Sequence, residues 1–154
     1  VLARGVASGS GEGELARRLD RYFDTVAEAV ALVDSPRGGF QTDRQRAERV
    51  VELLAPEGYG LVTHDVGLNA ARQVAQSARL ANGAVYRMLD ADGENAQTIR
   101  RYLDRAAFKA AQEGEVIVMG RPREETLAGI LQWRLEGRAE TVALAPLSAV
   151  IRAR

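Results

Sequence analysis

The chain has 154 residues, 46% hydrophobic and 27% charged, with 21 basic against 21 acidic side chains and a formal net charge of +0. A chain of this length buries about 68–70% of its unfolded surface, enough for a proper core. Its balanced charge argues against a general electrostatic grip on nucleic acid or an anionic membrane. With no cysteine, disulfides, thiolate zinc sites and cysteine nucleophiles are excluded. Lys109 is the one lysine, an arginine bias that genome composition alone explains. No apolar run approaches the ~20 residues that span a bilayer. The N-terminus, Val1-Leu2-Ala3-Arg4-Gly5-Val6, lacks the charged start and apolar h-region of a signal peptide. It also lacks an initiator methionine, so the expectation is an excised or processed piece of something longer.

Taken in order, residues 1–6 form a brief apolar segment, and Ala7–Gly13 reads as a small-residue loop. Leu15, Leu19, Tyr22, Phe23 and Val26 recur at helical spacing, which predicts an amphipathic helix over 12–26. Residues 29–33 predict a buried strand that ends at Asp34. Thr42 is the expected N-cap of a second helix, stopped by Pro56 and Gly58. Residues 59–63 predict a strand ending at His64 and Asp65. A third helix is expected over 69–80, ended by Asn82-Gly83. Alternation in residues 84–89 predicts a less buried or edge strand. A long helix follows over 95–113, with Gly114 as its cap.

The stretch 115–119 predicts a short buried strand, handing over through Gly120-Arg121-Pro122 to a helix over 124–135 that holds Leu127, Ile130, Leu131 and Trp133. Trp133 reads as a packing anchor rather than a sugar platform. A last strand is expected over 141–145. The whole is strict βα alternation, hence an α/β fold with a parallel sheet and right-handed crossovers.

In a parallel sheet the strand C-termini share one edge, where active sites usually lie. The expected occupants are Asp34, Ser35, His64, Asp65, Asp90 and Arg121. Two carboxylates and a histidine around one point could bind a divalent metal or carry acid–base work. Aspartates after strands also cap turns through side chain-to-backbone hydrogen bonds, and both readings stay open. His64, the one histidine, and Asp65 point to opposite faces of an alternating strand. Gly9-Ser10-Gly11-Glu12-Gly13 lacks the ending of a P-loop, and Val66-Gly67-Leu68-Asn69 is no dinucleotide fingerprint, which argues against nucleotide binding.

Three stretches resemble the divergent branch of the polysaccharide deacetylases. Phe40-Gln41-Thr42-Asp43 is similar to that family's Phe-Thr-x-Asp segment. Gly60-Leu61-Val62-Thr63-His64-Asp65 is similar to its Gly-Leu-Leu-Phe-Leu-Asp-Ser strand. Gly120-Arg121-Pro122, with Thr126-Leu127, Trp133 and residues 142–149, is similar to its Gly-His-Pro, Thr-Leu, Trp and Val-Pro-Val-Ser ending. The match runs from about residue 12 to the end.

The resemblance implies alternating βα units as part of a distorted (β/α) barrel, and one deacetylase-like domain over 1–154 whose first strands lie upstream of Val1. It implies a periplasmic or envelope role in a Gram-negative bacterium. It implies hydrolysis of an N-acetyl or similar group on a glycan, with zinc or another divalent metal polarising the carbonyl and activating water.

Against that pattern, Ser35 and Arg121 stand where the family has histidines, and the upstream Asp-Asp pair has no counterpart. Arginine cannot ligate a metal as imidazole does. Asp65 matches directly and is the candidate catalytic residue. Arg121, Asp34, Asp90 and His64 are candidates for substrate or anion binding, and no metal ligand set is complete. The expected function is cell-envelope carbohydrate metabolism with a degraded metal site, inactive as this chain. The alternative is a non-catalytic module that binds glycan or an envelope protein, with Arg121 as the anion anchor. A structural reading pairs Arg121 with Asp65 or Asp90.

Overall fold

A computed structural model describes residues 12–36, 39–65 and 67–151. The expected apolar segment 1–6 and residues 7–11 of the expected loop lie outside them, as do Arg37, Gly38 and Val66. The elements run α1 (Glu12–Thr25), β1 (Ala31–Val33), α2 (Arg44–Leu54), β2 (Gly60–His64), α3 (Ala70–Ser77), β3 (Asn82–Met88), α4 (Ala96–Glu113), β4 (Ile117–Met119), α5 (Glu124–Leu135) and α6 (Leu147–Val150). The strands hydrogen-bond in the order β1-β2-β3-β4, and β1/β2 and β3/β4 pair in parallel. This is the α/β alternation expected from the sequence. The chain divides into two compact units, residues 1–84 with 147–154, and residues 85–146; β3 passes from one into the other.

In the first unit the register aligns Leu32 with Leu61 and Val33 with Val62. The β2 strand is buried along its whole length, as a strand covered on both faces must be. Helix α1 lays Leu15, Leu19 and Phe23 into this core, and the Phe23 ring stacks on Tyr59 at 3.5 Å between centroids. Helix α1 ends at Thr25, one residue early, and Val26 is exposed.

Helix α2 is capped by Asp43, whose carboxylate accepts the Arg46 N–H at 3.0 Å. The expected cap, Thr42, sits inside the preceding turn, closed by Asp43 N–H donating to Phe40 O. A carboxylate at that position also meets the positive end of the helix dipole.

Helix α3 stops at Ser77 rather than Leu80, because Arg79 turns into the left-handed region (φ 54°) while Leu80 N–H bonds back to Ala75 O at 2.8 Å. Asn82-Gly83 therefore opens β3 instead of ending the helix. At the start of β2, a Cβ on Gly60 would stand 2.6 Å from Ile151 Cδ1 and 2.9 Å from Ala81 O. Only glycine admits the returning C-terminal segment there.

In the second unit, β3 and β4 pair Val85 with Ile117 and Arg87 with Val118, an irregular step that marks a bulge. The β3 strand is half-buried, as its alternation predicts, but it lies between β2 and β4 and is not an edge. β4 is an edge strand, as is β1, and its three residues are half-buried rather than buried. Helix α4 starts on an Asn95 cap and ends on left-handed Gly114 (φ 88°). Its Ile99, Leu103 and Ala107 join Leu89 and Trp133 in one cluster. Trp133 is 2% exposed and donates Nε1–H to Asp104 at 2.9 Å, the packing role expected of it.

The expected strand 141–145 does not form. A turn after Gly137, with Glu140 N–H bonded to Gly137 O, leads into a second in which Val142 N–H bonds to Ala139 O, both 3.1 Å. Val142 and Ala139 pack onto the cluster, while Leu144 is exposed.

Helix α5 approaches α4 at Gly129, where an added Cβ would meet Ile99 Cγ2 at 2.8 Å and Ala96 O at 3.1 Å. Helix propensity favours alanine over glycine by about 1 kcal/mol. Overpacking against a buried β-branched side chain and a backbone carbonyl outweighs it, at about 1–3 kcal/mol. Gly129→Ala is therefore destabilising despite the better helix former, and a thermal melt measures a lower Tm for it.

Candidate functional site

Two groups of polar side chains follow strand ends, one in each unit. In the first, Asp34 is 1% exposed at the end of β1. Its Oδ1 accepts the N–H groups of Ser35 (2.7 Å) and Gly39 (3.0 Å), and its Oδ2 those of Phe40 (3.2 Å) and Gln41 (2.9 Å). The carboxylate ties the end of β1 to residues 39–41. Ser35, at an expected histidine position, contributes its backbone N–H to the same carboxylate.

His64, at the end of β2, is 5% exposed. Its Nε2 lies 3.0 Å from Asp34 O. A carbonyl only accepts, so Nε2 carries the proton and donates. The His64 N–H donates to Gln41 Oε1 at 2.7 Å. Asn69 caps α3 by accepting the Arg72 N–H, and its amide donates to Thr63 Oγ1 (2.7 Å) and His64 O (3.2 Å). Asp65 is exposed, just beyond the end of β2.

In the second unit, Asp90 is fully buried (0% exposed) just after β3. Its Oδ2 accepts the Arg121 N–H at 2.8 Å and the Thr126 hydroxyl at 3.0 Å, and its Oδ1 receives Arg121 Nε at 3.4 Å. The Arg121 guanidinium also donates to the carbonyls of Asp90 and Ala91. Burial pushes the Asp90 carboxyl up. The Arg121 backbone N–H, the Thr126 hydroxyl and the Arg121 charge outweigh it, and the net pKa lies below the ordinary 3.8. An added Cβ on Gly120 would stand 2.8 Å from Thr126 Cγ2, so the turn leaves no room for a side chain there. The Arg121–Asp90 pairing is one of the two that the sequence offered; the Asp90 donors from the turn and Thr126 go beyond it.

The structure thus joins Asp34 to His64 and Asp90 to Arg121. Gln41, Asn69 and Thr126, which bind these groups together, were not singled out as polar partners by sequence reasoning. Their signal was positional: Gln41 and Thr126 lie inside two of the three family-like stretches, and Asn69 at a helix start.

The described residues do not assemble a ligand set for a divalent metal. The Asp34 oxygens are taken up by backbone donors. The Asp90 carboxylate holds a cation already, and His64, with Nε2 donating to a carbonyl, keeps only its Nδ1 lone pair. Among the described residues, no three histidine, aspartate or glutamate side chains converge. No helix of the described residues is long and apolar enough to cross a membrane.

The family described as divergent polysaccharide deacetylase matches residues 3–151. No curated protein sequence matches the chain. Among solved structures, the uncharacterized protein ATU2773 from Agrobacterium tumefaciens C58 superposes with a TM-score of 0.82 at 19% identity, over 92% of this chain and 58% of that one. That likeness is one of fold. The chain spans little more than half the length of this neighbour.

Two sets of substitutions separate the roles. Asp34→Ala strands buried N–H donors at about 1–3 kcal/mol each, whereas exposed Asp65→Ala falls within about 0.5 kcal/mol of the parent; urea denaturation reads both. For Asp90 the folded pKa lies below the unfolded one, so its stabilisation is fully present above pH 3.8 and fades as the pH falls through the folded value. The stability gap between the parent and Asp90→Asn is therefore largest at neutral pH and narrows below pH 3.8, as denaturant midpoints across pH reveal.

Proposed function

This chain belongs to the divergent polysaccharide deacetylase family, and on that premise we propose that it serves cell-envelope carbohydrate metabolism as a deacetylase-like domain with a degraded metal site. The periplasm is the compartment this reading assigns to it. The observation that carries it is the commitment of the strand-end polar groups to structure. A metal-assisted deacetylase needs carboxylate and imidazole lone pairs free to point at one ion, and a carbonyl oxygen of the substrate beside it. Here the Asp34 carboxylate is occupied by its own loop, and Arg121 occupies Asp90. Asp65 retains an exposed carboxylate, but a single carboxylate is a poor ligand set for zinc.

A second reading is favoured by Arg121. Its side chain is 45% exposed while its partner Asp90 is fully buried. The guanidinium is therefore oriented from below and open to water from above. Such a pre-oriented arginine suits a carboxylate or another anionic group on a glycan or an envelope protein. In this reading the fold outlives the hydrolysis and keeps the recognition.

Calorimetric titration of zinc into the chain, paired with acetate release from chitin-type and peptidoglycan oligosaccharides, tests the proposal. The expected result is no saturable zinc binding and no acetate released. Zinc binding at micromolar or tighter affinity, lost in Asp65→Ala, would sink it. For the second reading, retention of anionic glycan fragments is expected to fall in Arg121→Ala.

A further inference from the structure

Helix α4 carries a row of cations on its solvent side. Arg101, Arg105 and Lys109 follow one another at four-residue spacing, and like charges so placed repel along a helix. Lys109 is relieved by Glu113. Arg101 donates to the Thr98 hydroxyl at 3.1 Å, and neither it nor Arg105 meets a carboxylate among the described residues. The other acid of α4, Asp104, lies on the flank toward α5, where it accepts Trp133 Nε1–H and pairs with Arg138.

Arg105 stands at the centre of this side. Its helix neighbours three and four residues away are Arg101, Tyr102, Phe108 and Lys109: two cations, two aromatics and no acid. Phe108 is 68% exposed. From β3, Arg87 lays its guanidinium over the Tyr102 ring, 4.4 Å from the centroid. The Arg87 Nε is buried without a hydrogen bond, and this arginine too meets no carboxylate among the described residues. The chain as a whole has a net charge of +0, so these guanidinium groups are gathered here, not spread by a general basic excess. They repel one another and ring a bare phenyl group, and nothing within the chain compensates. A local rule broken without internal compensation marks a functional surface.

We propose that this side of α4 and β3, centred on Arg105, binds a linear anionic polysaccharide. The inference takes its ligand class from the carbohydrate reading above, while its site stands apart from Arg121. Guanidinium forks suit carboxylates held in pairs of hydrogen bonds. The C–H face of a sugar ring packs on the electron-rich face of an aromatic ring, which Phe108 presents to solvent. A lipid surface fits less well, because Phe108 is the one large exposed apolar side chain of α4 among the described residues and an interfacial helix needs an apolar face. Nucleic acid fits less well, because its grip rests on neutralising many phosphates.

Calorimetric titration with oligogalacturonate, a linear glycan bearing a carboxylate on each ring, tests this. Polyglutamate, a single-stranded oligonucleotide and an uncharged chitin oligosaccharide serve as comparators. The expected result is saturable binding of oligogalacturonate above all three, weakened by salt. Arg105→Glu and Phe108→Ala are each expected to weaken it roughly tenfold or more, and Arg121→Ala to leave it unchanged. Arg105→Glu turns two repelling pairs into attracting ones, so its melting temperature is not lower than the parent's. Should that variant melt lower, Phe108→Ala, a change at an exposed position, decides alone. Absence of saturable binding overturns the proposal. So does equal binding of polyglutamate or of the oligonucleotide, or indifference to Phe108→Ala. Binding lost in Arg121→Ala and kept in Arg105→Glu supports the anion anchor at the family turn and overturns the site on α4.

Discussion

A carboxylate withdrawn from water must find donors or give up its charge, and two buried aspartates set the form of the strand ends in this protein. Each costs several kcal/mol to desolvate if left alone. Asp34 recovers that cost from the backbone of its own loop. Asp90 recovers it from a backbone N–H, a hydroxyl and a guanidinium across the following βα turn. The two solutions fix different things. The first fixes the path from β1 into α2. The second ties the end of β3 to the turn after β4 and the first residues of α5.

The proposed loss of catalysis follows from the same satisfaction that stabilises these carboxylates. A catalytic carboxylate needs lone pairs held in reserve for a metal, a water or a proton. Arg121 matters most, because it stands at an expected histidine position of the family turn and brings a fixed positive charge. Gly120 and Thr126 keep the turn narrow and Asp90 charged. The strand–turn–helix frame is thus closed by Asp90, Arg121 and Thr126 bound to one another.

Much of the fold was legible because helix and strand periodicities differ. Residues 95–113 give a long helical stripe between Asn95 and Gly114, and both caps form as the residue types dictate. Local competition explains the misses. Thr42 and Asp43 are both good caps, and turn geometry chose the second. Residues 69–80 read as helix to the end because Arg79 gives no warning of a left-handed turn. The stretch 141–145 looks like a strand, but the turns after Gly137 reach into it and take the Val142 N–H. At the candidate sites, residue types named Asp34, His64, Asp90 and Arg121. They could not tell a free carboxylate from one ringed by backbone N–H groups, because backbone donors have no sequence signature.

The contact between Ile151 and Gly60 bears on the order of events during synthesis. The first compact unit is assembled from residues 1–84 and a returning C-terminal piece, whereas the second is one uninterrupted stretch. A ribosome delivers residues 85–146 complete before Ile151 emerges. The second unit can therefore consolidate its Leu89–Ile99–Trp133 cluster while the start of β2 still lacks its last apolar cover. Until Ile151 emerges, the Gly60 end of that strand stays open to water and to the chaperones that attend nascent chains.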